Sequence, residues 1–188
     1  MKTINKTYKV FPFDELNDEA KDKALECLAS CNVDYSDWYY DEGYMEDAKE
    51  YGLGIRFEQM AFDLDRRNFL AFYERGGKKG IWLEDFPAFS KKAGVKYHIC
   101  EDCGPSTFYI DTEHFGGGNM QNILRFCCDR SYSEAEQAKL EECFSGFIDS
   151  MLDRIKEDYE ALTSREAIID TIEVNEYTFL EDGTLFNE

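Results

Sequence analysis

An α+β fold is what the sequence predicts: one antiparallel sheet packed with three to four helices in a single domain over residues 1–188. Three observations predict it. Strand-like alternation occurs near residues 7–13, 55–66, 68–76 and 177–186. Apolar residues at steps of three or four run through the last third, longest near 133–162. Hydrophobic residues make up 43% of the chain and aromatics 15%, enough for a core in 188 residues.

The elements follow in order. TYKVFPF, residues 7–13, alternates like a strand, and Pro12 marks it as an edge or an end. Asn17 can cap a helix that opens on Asp18 and Glu19 and carries Ala20, Ala24, Cys27, Leu28 and Cys31 at helical spacing. SDWYYDEGYMED, residues 36–47, then holds five carboxylates, four aromatic rings and no lysine or arginine. Drawn as one helix reaching Gly52 or Gly54, it groups Trp38, Tyr40, Tyr44, Met45, Ala48 and Tyr51 on one face. Glu42, Glu46 and Glu50 form a stripe on another face, with Tyr39 beside them and Asp37 placed to cap.

Residues 55–66 and 68–76 read as two tightly joined strands, and 81–93 as holding a short helix. Residues 77–132 have the character of an insert and are the least readable, with a triple glycine at 116–118. Ser133 and Glu136 form a capping box for the longest helix, whose apolar stripe is Leu140, Phe144, Phe147, Met151, Ile155, Tyr159 and Leu162. Thr163 and Glu166 suggest a second capping box, and YTFL-EDG-TLF a closing hairpin that turns at Gly183.

The charge is the feature that speaks of function. Forty acidic residues against 21 basic give a net charge of −19. That sign disfavours direct binding to nucleic acid or to an anionic membrane and favours a basic partner. The charge is also segregated. Residues 34–50, 133–163 and 164–188 each carry −6, whereas 51–132 balance. Glu142, Asp149, Asp153, Glu157 and Glu160 lie opposite the apolar stripe of the longest helix. No run of 18 apolar residues exists, MKTINKTYKV lacks a signal-type apolar core, and seven cysteines suit reduced thiols, all of which lead to the expectation of a cytoplasmic protein.

Candidate chemistry is sparse. HICEDCG offers Cys100 and Cys103 at zinc-knuckle spacing, with His98 as a third ligand and His114, Cys127 or Cys128 available as a fourth, but no second C-x-x-C answers it. Asp63 and Asp65, on one face of a strand, are a second metal candidate, for magnesium, against the plainer reading of a polar strand end. Two histidines, no G-x-S-x-G and no phosphate loop leave no catalytic constellation, so the expectation is a protein that is not an enzyme and needs no cofactor. Cys27 and Cys31 read as core.

YKVFPFDELNDEAKDKALE, DYSDWYYDEGYMEDAKEYGLGI with FDLDR, and DYEALTSREAIIDTIEVNEYTFLEDG resemble a widespread family of small acidic proteins encoded by bacteriophages and prophages, whose members often carry an antitoxin-like label. The resemblance implies a viral origin and a bacterial host cytoplasm. Phage proteins of this size and acidity include anti-CRISPR and anti-restriction inhibitors, several of which resemble DNA electrostatically. The expectation is therefore an inhibitor that meets a basic host protein, such as a CRISPR effector nuclease, through Tyr39, Glu42, Glu46, Glu50, Asp149, Asp153, Glu157 and Glu160. An antitoxin-like module for another basic protein, and a metal-dependent enzyme or zinc-stabilised protein, are the alternatives.

Overall fold

The computed structural model describes residues 6–34, 38–39, 42–57, 60–65, 67–71, 81–97, 99–100, 104–105, 108–115, 119–126 and 132–186. In chain order the elements are β1 (Phe11–Pro12), a 3₁₀ turn (Phe13–Glu15), α1 (Asp18–Cys27), α2 (Glu42–Glu50), β2 (Leu53–Ile55), β3 (Met60–Asp63), β4 (Asn68–Ala71), β5 (Ile81–Leu83) and α3 (Phe86–Lys92). There follow β6 (Ile99–Cys100), β7 (Gly104–Pro105), β8 (Phe108–Phe115), β9 (Asn119–Phe126), α4 (Glu134–Leu162), α5 (Arg165–Val174) and β10 (Thr178–Phe179). The fold is mixed α+β. In place of the single expected sheet, the described strands form five two-stranded antiparallel ladders: β1–β10, β2–β5, β3–β4, β6–β7 and β8–β9. The chain divides into two compact units, a terminal one of residues 1–39 and 157–188 and a central one of residues 40–156.

The terminal unit is made of the two ends of the chain. Asn17 caps α1, its Oδ1 accepting the Ala20 N–H at 2.9 Å. Leu16, Ala20, Ala24, Leu25 and Leu28 are thereby presented to Ile168 and Ile172 of α5 and to Phe179 of β10, which together form one core. The edge or end that Pro12 predicted is a two-residue strand paired with β10. The closing turn needs its glycine. Gly183 has φ +82°, and a Cβ there would collide with the Ala20 carbonyl of α1. Asn32 ties the chain after α1 to the end of α4 and to α5: its Nδ2 donates to the Leu162 carbonyl at 2.9 Å, and its Oδ1 accepts from the Thr171 hydroxyl at 2.7 Å.

In place of the second predicted capping box there is a single N-cap, one residue on. Ser164 caps α5, its Oγ accepting the Ala167 N–H at 3.2 Å. Thr163 instead donates its hydroxyl to the Tyr159 carbonyl at 2.7 Å and closes the end of α4. Cys27, read as core, is exposed; Cys31 is half-buried against the core, and burial, with Asp34 adding to it, pushes its thiol above the ordinary range.

In the central unit Gly52, at φ +68°, turns the chain from α2 into β2, close against the Asp85 carbonyl. The β2–β5 register pairs Leu53 with Leu83 and Ile55 with Ile81. Asp85 caps α3 through the Ala88 N–H at 3.0 Å, with Pro87 in the first turn, where its missing N–H costs nothing. The Ser133–Glu136 box is present: the Ser133 N–H reaches the Glu136 carboxylate at 2.9 Å, and the Glu136 N–H reaches the Ser133 hydroxyl at 3.4 Å. Leu140, Phe144, Phe147, Met151 and Ile155 of α4 are buried. Within the region read as an insert, β8 and β9 form an eight-pair hairpin, Phe108 opposite Phe126 through Phe115 opposite Asn119, on either side of the triple glycine. Sequence reasoning left that hairpin unread.

Candidate functional site

Two acidic surfaces are candidates, one in each unit. In the central unit α2 begins at Glu42, so Trp38 and Tyr39 precede the helix and its wheel does not place them. Aromatic side chains lose rotamer freedom in a helix, which disfavours the run before Gly43 as a helix start. The wheel holds for the rest: Tyr44 and Ala48 are buried, and Glu42, Glu46 and Glu50 are exposed. Tyr39, placed beside these glutamates by the wheel, precedes the helix and is half-buried, edge-on to Trp38 with ring centroids 5.5 Å apart. Asp37 lies outside the described residues.

Several central acids are answered by cations from other elements. Lys92 of α3 stands 3.6 Å from Glu50 and 4.5 Å from the centre of the Tyr51 ring. Arg154 of α4 pairs with Asp47 and lies 4.5 Å from the centre of the Tyr44 ring. These residues, with Phe147, Ser150 and Met151, line a cavity of about 220 Å³. Arg67, at φ +51° in the turn between β3 and β4, donates to Asp153 at 2.6 Å and to Asp149 at 3.4 Å. The hydrogen bond from Arg67 holds the Asp153 carboxyl below its usual range, and the Asp153 bond raises Arg67 further. Of the acids expected to meet a partner, then, Glu50, Asp149 and Asp153 already have one. Glu42, Glu46 and Glu157 have no ion-pair partner among the described residues, and all three are exposed, as is Glu160.

In the terminal unit 18 acidic residues face 6 basic ones, a net −12 over 71 residues, against −7 over 117 in the central unit. A shallow cleft of about 620 Å³ is lined by Glu19, Asp22 and Glu26 of α1 and by Glu181 and Asp182 of the closing turn. Its cation is Lys23, which donates to Asp182 at 2.6 Å and to the Thr184 hydroxyl at 3.0 Å. The Lys23 bond, with two from Thr184, pulls the Asp182 carboxyl down to about 2. Arg165 reaches Asp22 at 3.2 Å. The helix ends are unlike those of the central unit. α2 ends with Lys49 and α3 with Lys91 and Lys92, where cations suit the negative end of the helix dipole. α1, α4 and α5 have no basic residue in their last turns, all three of which lie in the terminal unit.

Of the zinc candidates, His98 and Cys103 lie outside the described residues, as do Cys127 and Cys128; the backbone of Cys100 is in β6 and that of His114 in β8. β3 ends at Asp63 and Asp65 sits in the following turn, so the two do not share a strand face. Among the described residues no three His, Cys, Asp or Glu side chains are grouped to hold a metal, and no helix is long and apolar enough to cross a membrane. No family model, curated protein or solved structure matches the chain.

Proposed function

We propose that this chain is a phage-encoded inhibitor that binds a basic nucleic-acid-handling protein of its bacterial host, a Cas9-type CRISPR effector being the preferred target, and blocks the groove meant for DNA. The observation that carries the reading is the terminal unit: 18 acids against 6 bases, with no cation in the last turn of any of its helices. An arginine-lined DNA channel offers what that surface lacks. Glu42 and Glu46 on α2 of the central unit are exposed as well. The acidic spacing on a single helix, ~6 Å between residues four apart, is sparser than the one charge per ~1.7 Å of duplex DNA. Several helical faces must therefore act together, so the loss from any one substitution is modest.

The test is cleavage of target DNA by purified effector nucleases with and without the protein. Slowed cleavage, relieved by added salt and by competing DNA, is expected, because exposed charges are screened within ~10 Å at 0.1 M ionic strength. A panel in which no nuclease is slowed defeats the proposal. A pull-down that returns a small basic toxin in place of a nuclease favours the antitoxin-like alternative.

A further inference from the structure

Two free thiols stand one turn apart at the end of α1, and the fold treats them differently. Cys27 is the last residue of the helix and is exposed. Cys31 is half-buried against the core that α1, α5 and β10 share. The chain between them keeps coiling. The Leu28 N–H reaches the Ala24 carbonyl at 3.1 Å, the Ala29 N–H the Glu26 carbonyl at 3.3 Å, and the Cys31 N–H the Leu28 carbonyl at 2.9 Å. Four residues of helix rise ~6 Å, within the ~4.4–6.8 Å that separates the Cα atoms of a disulfide. Cys31 also adjoins a junction. Its thiol donates to Asn32 Oδ1 at 3.6 Å, the oxygen that accepts the Thr171 hydroxyl at 2.7 Å. The Asn32 Nδ2 donates to the carbonyls of Leu162 at 2.9 Å and Ala167 at 3.4 Å. One side chain thus joins the segment after α1 to the end of α4 and to α5, and a thiol leans on it.

We propose that Cys27 and Cys31 are a redox pair, closed into a bridge by a low-molecular-weight disulfide such as oxidised glutathione, and that closure loosens the Asn32 junction. The exposed Cys27 meets the reagent first. Burial, with Asp34 adding to it, pushes the Cys31 thiol up and suits it to the second step. In the first step the Cys27 thiolate attacks one sulfur of the reagent and expels the other half as a thiolate. In the second the Cys31 thiolate attacks the Cys27 sulfur and expels the remaining half. Two protein thiols are oxidised, one disulfide is reduced to two thiols, and those thiols carry away the two protons. Closure draws the Cys31 sulfur toward the exposed Cys27 and away from Asn32 Oδ1. In a reducing compartment such a bridge is transient, a sensor of oxidant and not a staple. Nothing in this chemistry requires a basic partner.

The test is equilibration of the full chain with oxidised and reduced glutathione, read by intact mass, by peptide mapping and by NMR. The wild-type chain should lose two thiols, with Cys27 and Cys31 joined in one peptide. Cys31→Ser should stop at a mixed disulfide on Cys27, and Cys27→Ser should leave Cys31 free. The side-chain amide resonances of Asn32 in the wild-type chain should shift on oxidation and return on addition of dithiothreitol, a readout that needs no variant to fold. A wild-type chain that stops at the mixed disulfide, or a bridge from either thiol to another cysteine, overturns the pair. Asn32 resonances that stay in place, or that shift and do not return, overturn the switch.

Discussion

The terminal and central units are both acidic, but they treat their acids differently. In the central unit Lys92, Arg154 and Arg67 fold back onto Glu50, Asp47, Asp149 and Asp153, and two of the three cations also lie over tyrosine rings. In the terminal unit Lys23 and Arg165 each hold one carboxylate, and the ends of α1, α4 and α5 have no cation of their own. A block of −6 in the sequence therefore means two things. Where neighbouring elements bring cations back, the block is an internally paired surface, which by itself contributes little to stability. Where they do not, it is a standing field at some cost to the fold.

The largest effect that can break this comparison tests whether the terminal unit has a core of its own. Phe179 is fully buried among residues of α1 and α5. Phe179→Ala should cost ~3–5 kcal/mol, the usual penalty for emptying a phenylalanine site. Amide hydrogen exchange should show lost protection in α1 and α5, while residues 140–155 of α4, whose apolar stripe is packed in the central unit, keep theirs. Equal loss in both places would show that the two units unfold as one, and the difference between them would have no energetic meaning.

A smaller effect sharpens the point about helix ends. Glu173 is exposed in the last turn of α5, three residues after Asp170. Glu173→Lys replaces an acid at the negative end of the dipole with a cation and adds an i, i+3 pair to Asp170. A gain of ~0.5–1 kcal/mol is expected from chemical denaturation. The reverse change at the end of α3, Lys92→Glu, should destabilise, since it removes the Glu50 partner and the contact with Tyr51. If Glu173→Lys leaves stability unchanged or lowers it, the terminal helices are not held against their dipoles.

How much of this was legible in sequence depends on how far apart the interacting residues lie. Local signals were readable. Asn17, the Ser133–Glu136 box, the stripe from Leu140 to Ile155 and the turn at Gly183 each rest on residues a few positions apart, and each is found where expected. The cap of α5 was missed by one position because Thr163 and Ser164 are both hydroxyls, and only the fold shows that Thr163 is engaged with Tyr159. The β8–β9 hairpin was hidden by polar residues in the middle of both strands, which blur the period of two. A helical wheel could not place Tyr39 because it has no knowledge of where its helix begins. Above all, charge compensation could not be read. Arg67 and Asp153 are 86 positions apart, so block counting scores them as a neutral middle and an acidic end.

The smallest effect is one of pH, and it concerns the Lys23–Asp182 clamp at the cleft of the terminal unit. Asp182 accepts from Lys23 at 2.6 Å and from the N–H and hydroxyl of Thr184, both at 3.1 Å. These bonds favour the ionised form and hold the carboxyl at about 2, against an ordinary 3.8. Because the folded value lies below the unfolded one, the contribution to stability is whole above the ordinary value and is lost as pH falls through about 2. The group is solvent-exposed, so the loss is small. Asp182→Asn should flatten the fall in thermal midpoint between pH 4 and 2 without moving the midpoint at which Asp153, held down by Arg67 in the central unit, titrates by NMR. A matching shift in Asp153 would mean that the two clamps are coupled. An acid limb of unchanged slope in Asp182→Asn would mean that Lys23 and Thr184 hold the turn equally well without the charge.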